Sequence, residues 1–194
     1  MPPERVRLRP APGSTVEKDV LEAEKHGLLC KLVDGVLAEK AMGYSESILA
    51  VFLIEMLNAF VHPRNLGFAS APDGTLRLFP GLVRVPDVAF ASWDGLSGRH
   101  RPVAPIPQLA PDLAVDVLND GNTPDEMARK RHDYFAAGVR LVWMADPRTR
   151  SVDVYASETQ FRRLTVADAL DGGAVLPAFR LLLRDWFAEL DRQG

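Results

Sequence analysis

The clearest pattern in the chain is a helical one that runs from Ser45 to Val61. Glu55 and Asn58 interrupt it, and it falls short of the roughly 20 apolar residues that a membrane span needs. The pattern therefore predicts a long amphipathic helix on a core, and no transmembrane helix. Its apolar residues recur at spacings of three and four, as on one helical face, and they are Ile48, Leu49, Phe52, Leu53, Met56, Leu57 and Phe60.

The region before this helix is organised by one charged segment and one turn signal. A charged run opens at Thr15 and stops at Gly27, which predicts a short first helix. Asp34-Gly35 divides the apolar residues of 28–40 and accepts the backbone angles of a tight turn, so this stretch is predicted to be a β-hairpin. Residues 1–13 contain four prolines and no apolar periodicity, which predicts a flexible leader before a single domain at 14–194.

The middle of the chain is predicted to be β-structure. Asp73-Gly74 lies between apolar runs at 66–71 and 75–79, which is the pattern of a second hairpin. A longer β-rich run covers 82–92. The proline-rich stretch 95–111 then predicts a long surface loop, either a lid or a plain connection.

The strongest fold signal is a strand, a helix and a second strand between residues 112 and 145. Residues 112–118 form a compact apolar run, and 139–145 form a continuous one. Between them, Thr123 has the position of an N-cap, with proline next and Glu126 closing a capping box. This order predicts a β-α-β unit with two buried parallel strands.

The end of the chain adds two short elements. Asp146-Pro147 predicts a turn, after which 151–156 returns as an antiparallel strand. Residues 181–190 are predicted to close the chain as a short helix. Taken together, the elements predict a three-layered α/β fold with a central mixed sheet flanked by helices, extended by the N-terminal hairpin and a C-terminal strand.

Composition narrows the function classes. The 194 residues are 47% hydrophobic and 25% charged, which is typical of a folded globular domain. Cys30 is the only cysteine, so an internal disulfide and a cysteine-based zinc cluster are excluded and a metal would need oxygen ligands. No apolar run follows the basic first residues, so we expect no secretory signal and a cytoplasmic location.

Charge and motifs exclude further classes. Lys and Arg total 23 against 26 Asp and Glu, a net charge of −3, whereas dedicated nucleic-acid modules are strongly basic. Any DNA contact must therefore be local, with a metal as a source of positive charge. The four histidines form no His-x-x-x-His pair, and neither a Gly-x-Ser-x-Gly elbow nor a phosphate-binding P-loop occurs.

Two acids interrupt strands that are otherwise apolar. Alternation places Asp87 on the same face as Val85 and Ala89. Asp116 shares its face with Ala114 in the same way. Such carboxylates are costly to bury unpaired. They either bind one divalent cation, which Mg²⁺ accepts from one or two carboxylates, or serve separately as caps and ion-pair partners.

Three further charged residues are candidates for chemistry. Lys130 lies on a partly apolar helical stripe with Met127 and Tyr134, so its ammonium either extends to water or points at the two acids. Glu39 ends the first hairpin. Glu46 begins the long helix, where the helix dipole favours an acid that has no chemical task.

These residues carry a resemblance to a known family. From about Thr15 to Leu190 the chain resembles the Uma-two-type family of bacterial endonucleases, within the PD-(D/E)XK nuclease superfamily. Pro86-Asp87 alone would be a weak signal, but several segments match together. They are 32–39, 83–90, 111–118, 130–135, 138–147 and 176–179.

The resemblance implies a restriction-endonuclease-like fold and hydrolysis of DNA phosphodiester bonds with Mg²⁺ or Mn²⁺. Asp87 matches the aspartate of the superfamily's Pro-Asp motif, and Asp116 matches its second acid. The backbone carbonyl of Val117 would be the third metal ligand. Lys130 stands where this family supplies its lysine from the helix, because the usual lysine position is the apolar Leu118.

The resemblance also bears on the remaining candidates. Glu46 is similar to the glutamate on the first core helix of such nucleases, which contacts the metal or its water, and Glu39 matches a frequent glutamate of the family. Asp116 replaces the usual glutamate and retracts the carboxylate by about 1.5 Å, the length of one C–C bond. A homodimer is expected, because two symmetric sites cut both strands of a duplex most simply.

Two other classes of function stay open at this point. One is a catalytically silent DNA-binding or protein-interaction module on the same fold, with metal affinity lost through Asp116. The other is a dimeric scaffold in which the long helix or an exposed strand edge forms the interface. Binding of Mn²⁺ that depends on Asp87 would separate the enzyme from the silent module.

Overall fold

The structure is a computed structural model that describes residues 3–40 and 43–193. Its helices are α1 (Glu17–Lys25), α2 (Tyr44–Val61), α3 (Pro124–Ala136) and α4 (Leu183–Ala188). The first strands are β1 (Cys30–Val33), β2 (Val36–Glu39), β3 (Gly67–Ser70), β4 (Leu76–Phe79), β5 (Leu82–Arg84) and β6 (Val88–Ser92). The later strands are β7 (Leu113–Val117), β8 (Leu141–Asp146), β9 (Ser151–Tyr155), β10 (Phe161–Thr165), β11 (Ala169–Gly172) and β12 (Leu176–Leu182).

A mixed sheet of six strands lies at the centre, in the order β10-β9-β8-β7-β6-β3. β7 precedes α3 in the chain and β8 follows it, and the two strands pair in parallel, which confirms the predicted β-α-β unit. β9 returns antiparallel to β8, as predicted. Helix α3 covers one face of this sheet, and α2 with α4 covers the other. The predicted α/β fold with a central mixed sheet between helices is confirmed.

A second sheet, in the order β2-β1-β5-β4, packs on the other side of α3. Leu76 and Leu78 of this sheet share an apolar cluster with Met127 and Tyr134 of α3. Arg84 of β5 forms a buried ion pair with Asp133 of the same helix. Helix α3 is therefore enclosed between two sheets, and its polar residues face neighbours on both sides.

One sequence prediction about strand pairing is wrong. The run after Asp73-Gly74 does not form a hairpin with the run before it, because β3 pairs with β6 and β4 pairs with β5 in the other sheet. A turn does exist, since Gly74 N–H donates to Ala71 O (2.9 Å), but it carries the chain between sheets. The hairpin turn lies instead between β4 and β5, where Gly81 adopts a φ of 77°.

The two terminal additions to the fold lie in sheets other than the central one. The predicted hairpin at 28–40 is confirmed as β1 and β2, but it belongs to the four-stranded sheet. The C-terminal strand β12 pairs with β11 in a small sheet of its own. Its apolar residues Leu176 and Phe179 pack into the cluster under α2 and α4, so burial rather than ladder extension decides where this strand lies.

Residues 3–13, predicted to be a flexible leader, pack against the hairpin. Pro3–Arg5 form a short 3₁₀ turn, and Val6 makes an antiparallel bridge to Ala38. Arg7 N–H donates to the carbonyl of Leu37 (2.9 Å). We call residues 3–13 the N-terminal strap.

Among the described residues, α2 has the length and the apolar character, with a mean hydropathy of 1.5, of a membrane-crossing helix. Its contacts are those of a core helix. Leu49, Leu53 and Leu57 are fully buried against the central sheet. Trp186 of α4 donates its indole N–H to the carbonyl of Leu49 (2.9 Å).

Candidate active site

The first candidate acid lies where the chain passes from one sheet to the other. β5 ends at Arg84 in the four-stranded sheet, and β6 starts at Val88 in the central sheet. Pro86 has no N–H to donate, so it ends the pairing of β5 and leaves Asp87 between the two ladders. Asp87 N–H donates to the carbonyl of Val115 on β7 (2.9 Å), which fixes the acid beside the end of that strand.

The second candidate acid is buried within β7. Asp116 is 2% exposed and projects to the α3 side of the sheet, as its neighbour Ala114 does. Lys130 of α3 forms an ion pair and a hydrogen bond with its Oδ1 atom. Of the two orientations that the sequence leaves open for Lys130, the structure therefore shows the one directed at the acids.

The backbone at the end of β7 joins the two acids. Val117 N–H donates to Asp87 Oδ2 (2.7 Å), and the next residue, Leu118, donates to Ala145 O on β8 (2.8 Å). Successive residues of a strand direct their backbone groups to opposite sides, while one residue's N–H and C=O point the same way. The carbonyl of Val117 therefore faces Asp87.

This oxygen set fits a hard divalent cation. Asp116 Oδ2 is buried and makes no hydrogen bond of normal geometry, and the buried Tyr134 hydroxyl beside this carboxylate is unpaired too, although buried polar atoms are normally paired. No group of three or more His, Cys, Asp or Glu able to hold a metal occurs among residues 3–40 and 43–193. Mg²⁺ needs no such cluster, because it keeps several waters and binds one or two carboxylates. Asp87, Asp116 and the Val117 carbonyl are therefore the residues suited to such an ion.

A second lysine, absent from the sequence prediction, holds Asp87. Lys40 follows β2, and its ammonium forms an ion pair with Asp87 Oδ1 (2.8 Å). It also donates to the carbonyls of Pro72 (2.7 Å) and Pro86 (2.9 Å). These three contacts match the three donors of an ammonium. Lys40 therefore positions the carboxylate of Asp87 and has no donor left over.

A third acid and a third lysine complete the pocket. Glu126 of α3 and Lys31 of β1 form a buried ion pair. Glu126 Oε2, like Asp116 Oδ2, is buried without a hydrogen-bond partner. The capping-box prediction is half right, because Thr123 Oγ1 accepts from Glu126 N–H (3.2 Å) but the Glu126 carboxylate turns to Lys31.

We call this cavity the acid–lysine pocket. The three acids and the three lysines line it, together with Val117, Asn119, Asn122 and Arg5. Each acid has one lysine partner, which offsets part of the cost of burying it.

The pKa values reflect this burial. Burial raises the pKa of Asp116, although Lys130 acts in the opposite direction. Burial lowers the pKa of Lys40 and of Lys31, against the raising effects of Asp87 and Glu126. For Glu126, burial acts to raise the pKa, but the hydrogen bond and charge of Lys31 outweigh it, so that this pKa is lowered.

The two predicted glutamates do not line this pocket. Glu39 forms an ion pair with Arg7 of the N-terminal strap (2.6 Å). Glu46 lies in the first turn of α2, with its carboxylate against Gly43. The structure thus brings together Asp87, Asp116, Val117 and Lys130 but neither glutamate, and the catalytic roles of Glu39 and Glu46 stay predictions.

Comparisons with known proteins agree with this fold. A family model described as "Uma2: Putative restriction endonuclease" matches residues 17–189. A solved structure from Anabaena variabilis, described as "a putative nuclease belonging to DUF820", has a TM-score of 0.74. The match covers 84% of this chain and 92% of that one at 18% identity, so it shows a shared fold. No curated protein matches. Because the family model spans most of the chain, the protein belongs to the Uma2 family.

Proposed function

We propose that the protein is a deoxyribonuclease that hydrolyses DNA phosphodiester bonds with Mg²⁺ or Mn²⁺ at the acid–lysine pocket. The observation that carries the proposal is the buried carboxylate of Asp116, whose Oδ2 makes no hydrogen bond of normal geometry, beside Asp87 and Lys130. A buried carboxylate oxygen without a donor is costly. A cation bound during function would explain why it is kept, and family membership supports a nuclease.

The ligands proposed for the ion are Asp87, Asp116 and the Val117 carbonyl. A divalent ion bound there supplies Lewis acidity and a nucleophilic water near neutral pH. All three ligands are oxygens, which suit Mg²⁺ and Mn²⁺. Cys30 lies in a separate apolar cluster with Leu32 and Leu37 and is not a candidate ligand.

Lys130 has two tasks in this proposal. Its ammonium is held by Asp116 at the edge of the pocket, so its remaining donors can orient the attacking water. The same positive charge offsets the negative charge that grows on the phosphate oxygens in the transition state. Lys40 keeps Asp87 oriented throughout, because its other donors are fixed to backbone carbonyls.

A silent DNA-binding module is the second candidate function. One observation favours it, namely that every acid of the pocket already has a lysine partner, so that an incoming cation must compete with ammonium groups. Titration calorimetry with Mn²⁺ separates the two candidates. The nuclease proposal requires a binding site that Asp87→Asn removes and that Asp94→Asn, a change at an exposed ion pair with Arg99, leaves intact.

The homodimer is part of the proposal. A groove on α2 is lined by apolar Ile48, Val51 and Phe52 together with polar and charged residues, and Val51 is 54% exposed. Light scattering at micromolar concentration measures the mass directly. If the protein is a monomer, cleavage of both DNA strands requires two separate binding events. A monomer also rules out the dimeric scaffold as a function.

A further inference from the structure

The N-terminal strap lies outside the residues that match the family model, yet it contributes to the acid–lysine pocket. The family match begins at residue 17, whereas Arg5 lines the pocket. This arginine is not among the residues that the resemblance to the family identifies. The contacts of Arg5 itself therefore indicate its role.

Three contacts on the C-terminal side of its short turn hold the strap in place. Val6 bridges Ala38, and Arg7 N–H donates to the carbonyl of Leu37 (2.9 Å). The Arg7 guanidinium pairs with Glu39 Oε1 (2.6 Å). These contacts follow Arg5 in the chain and hold the strap against the hairpin.

The Arg5 guanidinium reaches the loop that follows β7. Its Nη2 atom donates to Asn119 Oδ1 over 3.4 Å, a long hydrogen bond. It also lies so close to Gly121 that a Cβ atom there would collide with it. Because β7 carries Asp116 and Val117, this loop brings Arg5 to the rim of the candidate metal site.

The charges of the pocket set Arg5 apart from its neighbours. Each of the three lysines is paired with one acid. Within the described parts of the chain Arg5 forms no salt bridge, although its charge acts on Glu126 from a longer distance, and its side chain is partly exposed. It is therefore the cation of the pocket that is available to an anion without first breaking an ion pair.

We propose that Arg5 binds a backbone phosphate of the DNA strand next to the phosphodiester that is cut. This inference rests on the proposed nuclease function. A guanidinium offers a planar pair of donors that matches two phosphate oxygens. A protein with a net charge of −3 needs such local cations to hold a polyanion.

The same geometry gives Glu39 a role. Its ion pair with Arg7 holds the strap two residues from Arg5, so Glu39 is a positioning residue that acts through the strap. A catalytic role for Glu39, which is a candidate from the sequence, is then unnecessary.

The test compares two variants of the strap that remove the same charge. Arg5→Gln changes the pocket residue, and Arg9→Gln changes an exposed residue that lines a different groove, with Asp19 and His26. Binding of a labelled DNA duplex in EDTA is followed by fluorescence anisotropy at several salt concentrations. We expect Arg5→Gln to raise Kd on the order of tenfold and to reduce the salt slope by about 0.9, the value for one phosphate contact.

Cleavage kinetics and a rescue variant complete the test. Arg5→Gln should raise KM and leave kcat within about threefold, since uniform binding is lost. Arg5→Lys should restore the salt slope, because it restores the charge. Glu39→Gln should weaken binding less than Arg5→Gln, and the double variant should bind no worse than Arg5→Gln alone, because one residue acts through the other.

Each alternative result has a distinct meaning. If the wild type cuts DNA and Arg5→Gln matches Arg9→Gln in Kd, salt slope and KM, the assignment of Arg5 is wrong and the nuclease proposal stands. A fall in melting temperature with an unchanged salt slope would identify Arg5 as a structural contact only and overturn the assignment. If the wild type neither binds nor cuts DNA, the proposed function is wrong and the assignment falls with it.

Discussion

Helix α3 carries two kinds of buried ion pair, and they differ in how completely the acid is satisfied. Asp133 accepts from Arg84 Nε (2.9 Å) and Nη2 at one oxygen, and from Arg129 Nε (3.0 Å) at the other. Asp116 and Glu126 each pair one oxygen with a lysine and leave the other buried without a partner.

The difference indicates which ion pair stabilises the fold and which pairs belong to the candidate active site. A buried ion pair is tolerated when further hydrogen bonds satisfy the remaining lone pairs, and the Arg84–Asp133 pair meets that condition. The pairs of Asp116 with Lys130 and of Glu126 with Lys31 do not, so they lose stability that an apolar pair would keep. Sites that break local packing rules are expected to be functional ones. Helix α3 thus holds the four-stranded sheet to the core through Asp133. It contributes Lys130 and Glu126 to the acid–lysine pocket.

The largest expected effect comes from removing the Asp116–Lys130 pair as a unit. The double variant Asp116→Asn/Lys130→Met should lose DNA cleavage by at least about a thousandfold, because a metal ligand and the cation at the phosphate are both gone. Its free energy of unfolding should stay within about 1 kcal/mol of wild type or rise. Cleavage assays and urea unfolding check the two halves, and a large loss of stability with retained cleavage would reverse the assignment.

The Arg84–Asp133 pair should behave in the opposite way. Asp133→Ala leaves Arg84 buried without its partner, so the free energy of unfolding should fall by about 3–5 kcal/mol. The folded fraction should still cut DNA. Urea unfolding measures the change beside Asp125→Ala, an exposed acid of the same helix. Equal small losses in both variants would mean that Asp133 does not hold the sheets together.

Glu126 resembles Asp116 because one of its carboxylate oxygens is also unpartnered, but Glu126 has no proposed metal role. Glu126→Gln keeps an acceptor for Lys31 and should lower cleavage by less than about tenfold, with the affinity for Mn²⁺ unchanged. Calorimetry with Mn²⁺ is the measurement. Loss of the Mn²⁺ site in this variant would make Glu126 a metal ligand and redraw the pocket.

The smallest effect is expected at an exposed pair. Arg150 contacts both oxygens of Asp191 (2.6 and 2.7 Å), but both side chains are open to water. Asp191→Asn should change the free energy of unfolding by less than about 1 kcal/mol, since solvent screens such pairs. Urea unfolding in low and high salt checks this, and a change as large as that of Asp133→Ala would break the distinction between buried and exposed pairs.

The parts of the site that the sequence predicts are those set by local pattern. Alternation in β7 places Asp116 toward α3, and the apolar runs define the β-α-β unit that positions it. The direction of Lys130 follows from the family resemblance, because its helical stripe alone favours a lysine that extends to water. These predictions succeed because each depends on residues close together in the chain.

The parts that the sequence does not predict depend on which sheet each strand joins. Asp73-Gly74 specifies a turn and not the partners of the flanking strands, so the second sheet is missed. Without that sheet, nothing brings Lys31 and Lys40 to the acids on the central sheet. Arg5 follows prolines and has no periodic signal, and only its contacts after folding reveal it.

Cleavage of supercoiled plasmid in Mg²⁺, Mn²⁺ or EDTA is the most direct test of the central claim that the acid–lysine pocket is a metal-dependent nuclease site. The wild type is compared with Asp87→Asn, Lys130→Met and the control Asp94→Asn. Nicking is expected from the wild type and the control in the presence of metal, and none is expected in EDTA or with either pocket variant. Metal-dependent nicking that survives in Asp87→Asn, with every protein shown to be folded, would contradict it.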